Sequence, residues 1–278
     1  MAAAASTSNV TAQTESDLKL QLLSDLHLET EDYTPRAAPG ADLLVLAGDI
    51  DTTWSSLSLF ANWPTPVVFV PGNHEFDGRD VDEALAGLRD QCRHLGIHLL
   101  EKETWITTAP DGRRIRFVGT TRWCDFDLFG SEQRPRSMRA ANYFVKVMRA
   151  MRNGQIFDPD AVRAEALVCK DWLRETLRQK PQADSDANWD TTVVITHYGP
   201  SLRSADPRYG KQPGTASFCN ADDDLMPGVA CWIHGHLHCR HDYTVSHEAG
   251  QTHVVSNARG HGYKHEADHY DGLRCITI

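Results

Sequence analysis

Five short polar clusters, each following an apolar run, hold the side chains of this chain best suited to chemistry. They are Asp25-Leu26-His27 after residues 18–22, Gly48-Asp49 after 43–47, and Gly72-Asn73-His74-Glu75 after 67–70. His197 follows 192–196, and Gly235-His236-Leu237-His238 follows 230–233. Together they offer carboxylate oxygens, imidazole nitrogens and one amide oxygen, a donor mixture suited to Mn, Fe or Zn. Asp25 and His27 lie two residues apart and share a side where the backbone is extended, as do His236 and His238. The neighbouring glycines permit tight turns and close backbone approach. One such histidine alone is an ordinary structural residue, and Asp-x-His alone is a weak motif. Five clusters at the ends of apolar runs point to a metal centre.

The runs that must position these groups read as strands. Leu18, Leu20 and Leu22 alternate with Lys19 and Gln21, whereas the other runs are continuously apolar, as in strands buried on both faces. Loops leaving the carboxyl ends of such strands are where open α/β sheets place binding groups. Between them, Trp54, Leu57 and Phe60 predict a short helix, and Val81, Leu85 and Leu88 a helix ending near Gly96. Residues 105–119 predict a hairpin with Asp111-Gly112 at its tip. Asp158-Pro159 predicts a helix start, with Val162, Ala166, Leu173 and Leu177 on one side. Residues 140–151 are helix-like, whereas 130–139 are polar and read as a loop, so 122–160 is a candidate rim or cap. Residues 243–245 and 252–255 are expected to pair, and 274–278 to close a sheet edge. This mixture predicts a layered α/β domain over 18–278 after a disordered tail over 1–17.

Composition narrows the function. The chain has 278 residues, 41% of them hydrophobic, and a net charge of −10, which disfavours a broad electrostatic grip on nucleic acid. No run of about 18 apolar residues predicts a membrane span. The tail lacks the basic and apolar regions of a signal peptide. Seven cysteines without a CxxC pair predict reduced thiols and a cytoplasmic setting. Of fourteen histidines, nine lie between His234 and His269.

The segments SDLHLE (24–29), AGDI (47–50), PGNHEF (71–76), THYGP (196–200) and HGHLH (234–238) resemble, in order and combination, the calcineurin-like metallophosphoesterase family. The resemblance runs from about Leu20 to the C-terminus and is nearest to small bacterial members of uncertain substrate. It implies a four-layer αββα sandwich with two mixed β-sheets and a binuclear metal site at one edge. It further implies that Asp25, His27 and His238 bind the first metal, that Asp49 bridges both, and that Asn73, His197 and His236 bind the second. Two divalent ions are expected, Mn first, with Fe or Zn compatible, completed by a hydroxide. Such a pair clamps a phosphoryl group and activates water. His74 is expected to face the phosphoryl oxygen or leaving group, either as a proton donor or as an orienting group alone.

Departures from relatives shape the expected substrate. Thr52 stands where purple acid phosphatases carry tyrosine and where serine/threonine protein phosphatases carry aspartate; Pro71 stands where the latter carry arginine. Asp51 or Glu75 remains to partner His74 from another direction. Arg122, in the stretch 118–126, is either a phosphate contact or a surface arginine, and Arg259 is either a phosphate contact or an ion-pair partner. Arg259 belongs to NARGHGY (257–263), which resembles the NPRGY run of the small bacterial members. Tyr263 is either a stacking platform or a crevice filler. His261, His265 and His269, spaced by four, read as solvated or locally paired, with an adventitious second metal site as the alternative, and Asp222-Asp223-Asp224 as facing solvent or capping a helix. The expected activity is a phosphodiesterase on a small phosphorylated molecule or nucleotide, without a dedicated nucleic-acid partner or membrane. The alternatives are a phosphomonoesterase, a nuclease, or a metal-stabilised interaction scaffold. Oligomeric state is left open.

Overall fold

Alternation within the apolar runs decides the layering. The computed structural model describes residues 17–182, 185 and 187–278, so the expected tail lies, apart from Asp17, outside the described residues. In chain order the strands are β1 (Lys19–Leu23), β2 (Leu43–Leu46), β3 (Val67–Phe69), β4 (His98–Leu99), β5 (Glu103–Thr108) and β6 (Arg114–Thr120). They continue with β7 (Met151–Arg152), β8 (Gln155–Ile156), β9 (Thr191–Thr196), β10 (Cys231–His234), β11 (Arg240–His247), β12 (Gly250–Asn257) and β13 (Cys275–Thr277). The α-helices are α1 (Val81–Leu95), α2 (Arg134–Met148) and α3 (Pro159–Arg178). One mixed sheet has the order β13-β1-β2-β3-β4 and the other β11-β12-β10-β9-β6-β5. A separate two-stranded ribbon joins β7 to β8.

The sheets face each other across one core. Leu43, Val45, Val68 and Val70 from the first sheet meet Phe117, Val193, Ile195 and Ile233 from the second. Their odd-numbered or even-numbered neighbours point the other way. Leu44, Leu46, Val67 and Phe69 pack with Leu88 and Cys92 of α1, and Val118, Val194 and Trp232 pack with Leu173 of α3. Each fully buried side chain of this size contributes roughly 1.5–3 kcal/mol. The continuously apolar runs are therefore strands covered on both faces, giving an αββα sandwich.

Local signals set the helix ends. Asp80 caps α1 by accepting from the amides of Asp82 and Glu83, and Gly96 ends it at φ 70°. Asp158 caps α3 through the Ala161 amide, with Pro159 in its first turn. The expected hairpin forms between β5 and β6, with Trp105 opposite Phe117. β11 pairs with β12, and β13 closes an edge beside β1.

α2 departs from expectation, because it starts six residues before the helix expected at 140. Pro135 is tolerated in the first turn, and the buried stripe is Ser137, Ala141, Val145 and Met148. Small and polar residues on that stripe gave little hydrophobic signal. The stripe packs with Trp123 and Phe157, so α2 lies over the candidate rim. Among the described residues no helix is long and apolar enough to cross a membrane, and all seven cysteines are free.

Candidate metal centre

Each of the five polar clusters leaves the carboxyl end of a strand, and the backbone there is bent sharply. Asp25, His27, Asp49, His236 and His238 all have positive φ, between 47° and 71°. That region is uncommon for side-chain-bearing residues, although Asp and His enter it more readily than most. The strain is held by cross-loop bonds: the Asp25 amide donates to the Gly48 carbonyl (2.9 Å) and the His27 amide to the Asp49 carbonyl (3.2 Å). Gly72 is required because a Cβ there would collide with the Asp49 carboxylate.

Glu75 ties two of these loops together. Its buried carboxylate accepts from the amides of Gly72 (2.6 Å), Ile50 (2.7 Å) and Asp49 (3.0 Å). Burial and the charge of Asp49 push its pKa up to about 7.

Two groups of donor atoms converge, and Asp49 belongs to both. In the first, Asp25, His27, Asp49 and His238 offer atoms all within 4.8 Å of one another. His27 turns Nδ1 to Glu29 (3.2 Å) and His238 turns Nδ1 to Glu266 (2.7 Å). Carboxylate acceptors favour a proton on each Nδ1, and with that tautomer the two Nε2 lone pairs face each other at 3.0 Å. In the second, Asp49, His197 and His236 converge in the same way, with Asn73 Oδ1 3.2 Å from His197 Nε2. His197 Nδ1 donates to the Ala47 carbonyl (2.9 Å) and His236 Nε2 to that of Ser217 (3.2 Å). The remaining lone pairs, on His197 Nε2 and His236 Nδ1, then lie 3.1 Å apart. The buried Asp49 Oδ2 faces His197 Nε2 at 3.1 Å.

Lone pairs packed this closely repel unless a cation sits among them. A proton answers part of this: burial lowers the His197 pKa, but the adjacent Asp49 outweighs it and raises the value to about 9. Burial, with help from His197, holds His236 well below the usual histidine range. One proton cannot satisfy both groups, whereas two divalent cations fit donor sets of this chemistry. The outward hydrogen bonds from each imidazole to a carboxylate or carbonyl are those expected behind metal-binding histidines.

His74 lies beside the centre. Its amide donates to Asp49 Oδ1 (2.9 Å), and its Nδ1 lies 2.7 Å from Asp77 Oδ2. Its carboxylate partner is therefore Asp77, not Asp51 or Glu75. Asp51 is engaged by the amides of Thr53 and Ser56, and Glu75 by the loop amides. Burial lowers the His74 pKa, but Asp49 and Asp77 outweigh it and raise it to about 10. His74 also lines a cavity of about 610 Å³, together with Asp49, Asn73, His236, His238 and His261.

Of the two arginines weighed as phosphate contacts, Arg122 is fully engaged within the protein and Arg259 is ion-paired. Every N–H of the fully buried Arg122 has an acceptor: Asp222 takes two, Asp125 one, and the carbonyls of Trp123 and Ala166 one each. None is left for a substrate. This also corrects the expectation for Asp222, which is buried in an ion pair rather than solvated. Arg259 pairs with Glu31 (2.8 Å) and covers the Tyr33 ring, and neither arginine lines the cavity.

Two residues near the centre were not read as part of it. Glu266 orients His238 across 28 residues of chain, a pairing that no short spacing reveals. His261 stacks on His27 (4.4 Å between centroids) and pairs with Glu31. Its spacing with His265 and His269 is not helical, since both of those have left-handed backbone.

A calcineurin-like phosphoesterase family profile matches residues 18–240. The crystal structure of a phosphopantetheinyl hydrolase from Mycobacterium tuberculosis is similar over 94% of this chain and 96% of that chain, with a TM-score of 0.68. The two are 18% identical, so the likeness is one of fold. No curated protein matches the chain significantly.

Proposed function

Because the chain belongs to the calcineurin-like phosphoesterase family, and so to metal-dependent enzymes acting on phosphoesters, we propose that it hydrolyses a phosphodiester in a small organic molecule or nucleotide. The observation that carries this reading is the convergence of two donor sets on the shared, buried carboxylate of Asp49. In this reading Asp25, His27 and His238 hold one cation with Asp49, while Asn73, His197 and His236 hold the other. Mn(II) is our first choice, and the same donors suit Fe or Zn. Bound cations supply Lewis-acid charge and a water acidic enough to act as a nucleophile near neutral pH.

The chain's own groups do the rest. Asp49 and Asp25 offset about half the charge of two divalent cations, leaving an excess of about two positive charges to attract an anion into a chain of net charge −10. Asn73 adds a neutral oxygen, which keeps that excess from falling further. Asp77 orients the His74 ring from outside, and His74 holds a proton for the oxygen that leaves. An alkoxide leaving from a diester benefits most from such a donor. Arg122 offers no extra clamp for a dianionic monoester because all its N–H groups are engaged, and Arg259 does not line the cavity. The M. tuberculosis protein of this fold is named a phosphopantetheinyl hydrolase, which fits an organic phosphoester as the substrate class here.

The test is metal analysis of purified protein, followed by Mn(II)-supplemented turnover of an aryl phosphate, a bis-aryl phosphodiester, cyclic nucleotides and single-stranded DNA. Turnover of diesters with little on the monoester is expected. A monoester preference would overturn the diester assignment, and inactivity of the reconstituted protein on every substrate would favour a scaffold.

A further inference from the structure

Resting on that reading, we propose that the substrate's organic group is a large apolar or aromatic one, received by the exposed face of α2 and the rings beside the second cation site. Ten large apolar or aromatic side chains are exposed among the described residues, and five of them line this one cavity: Tyr143, Phe144, Val147, Tyr209 and Tyr263. Folding does not require three of these. α2 buries Ser137, Ala141, Val145 and Met148 against the body, which leaves Tyr143 (70% exposed), Phe144 (40%) and Val147 (52%) on the cavity side. Exposed apolar side chains gathered at one place mark a binding surface more often than chance does.

The surface is continuous with the candidate metal centre. The Phe218 ring lies 5.0 Å from that of His236, Phe144 lies 4.9 Å from Phe218, and Tyr143 lies 5.5 Å from Phe144. This line of rings leads from a candidate ligand to the cavity mouth. The cavity, at about 610 Å³, falls in the usual small-molecule range of roughly 300–1,000 Å³. Charge fits as well: α2 carries Arg134, Arg136, Arg139 and Lys146 and no acidic residue, in a chain of net charge −10. Arg136, Arg139 and Lys146 are exposed and favour approach of an anionic amphiphile.

Hydrolysis-resistant alkyl(methyl)phosphinates, monoanionic mimics of a phosphodiester, test this directly. The Mn(II)-loaded protein is titrated calorimetrically with dimethyl-, butyl(methyl)- and octyl(methyl)phosphinate, and the metal-free protein with dimethylphosphinate. Affinity is expected to rise about fourfold for each methylene that reaches the wall. Replacing Tyr143, Phe144 and Val147 together with serine should flatten that series, while Phe144→Leu should keep it. Metal-dependent dimethylphosphinate binding with a flat series in the natural protein, or a series unchanged in the triple variant, would overturn the apolar arm alone. Absence of any metal-dependent phosphinate binding would overturn the diester reading, and the arm with it.

Discussion

His74 and Asp49 touch through one hydrogen bond, from the His74 amide to a carboxylate oxygen, yet their side chains are proposed to do separable work. Replacing Asp49 with alanine removes the donor common to both clusters, and the purified protein is expected to hold less than one equivalent of metal by elemental analysis. His74→Ala should keep metal content near that of the natural protein while kcat on a cyclic nucleotide, with its alkoxide leaving group, falls about 10²- to 10⁴-fold, and on the bis-aryl diester less. Joint loss of metal and rate in His74→Ala would assign His74 to the ligands. Glu266 acts one step further out. Without its acceptor the His238 ring is no longer held with Nε2 inward, so Glu266→Ala should weaken Mn(II) binding by about 10- to 100-fold in a calorimetric titration.

At the scale of elements, the buried cluster of Arg122, Asp125 and Asp222 ties distant segments together. It joins the segment after β6 to residue 222, with Lys170 of α3 3.4 Å from both carboxylates. Removing one partner leaves a buried charge uncompensated, so Asp222→Ala should cost about 3–5 kcal/mol in denaturant unfolding. Its pH dependence has a definite sign. Burial pushes the Asp125 carboxyl up, but Arg122 outweighs it and holds the group below the usual carboxylate range. The unfolded chain therefore takes up this proton first as pH falls. The stabilisation is complete above about pH 4 and is lost as pH drops through the lower folded value. Asp125→Asn should flatten that part of the acid-unfolding profile; an unchanged slope would remove Asp125 from the account.

Over the whole molecule, the two candidate cation sites lie where the sheets meet at one edge. Asp25, Asp49 and Asn73 follow strands of the first sheet, and His197, His236 and His238 follow strands of the second. Cations held between them would staple the sheets together and relieve the facing lone pairs. Free Mn(II) at about 100 times its dissociation constant should then add about 2.7 kcal/mol of stability per site. EDTA should lower Tm, and restored Mn(II) should raise it in a concentration-dependent way. A Tm indifferent to both would show that the loops close without metal.

Much of this was written locally in the chain. Strands buried on both faces, glycine beside most of the polar clusters, and caps such as Asp80 and Asp158 depend on residues a few positions apart, so runs such as 43–47 and 192–196 disclosed both the layers and the candidate ligands. The start of α2 was hidden because its buried stripe uses Ser137 and Ala141, whose small side chains carry almost no hydrophobic signal. The partners of Arg122, His74 and His238 were hidden for another reason. Arg122 meets Asp222 across 100 residues and His238 meets Glu266 across 28, and no period in the sequence reports which long loops close on each other. Residue type and spacing thus decided which groups could meet a metal. Tertiary packing alone decided which charges were already neutralised, which ring nitrogens faced inward, and which apolar side chains were left bare beside them.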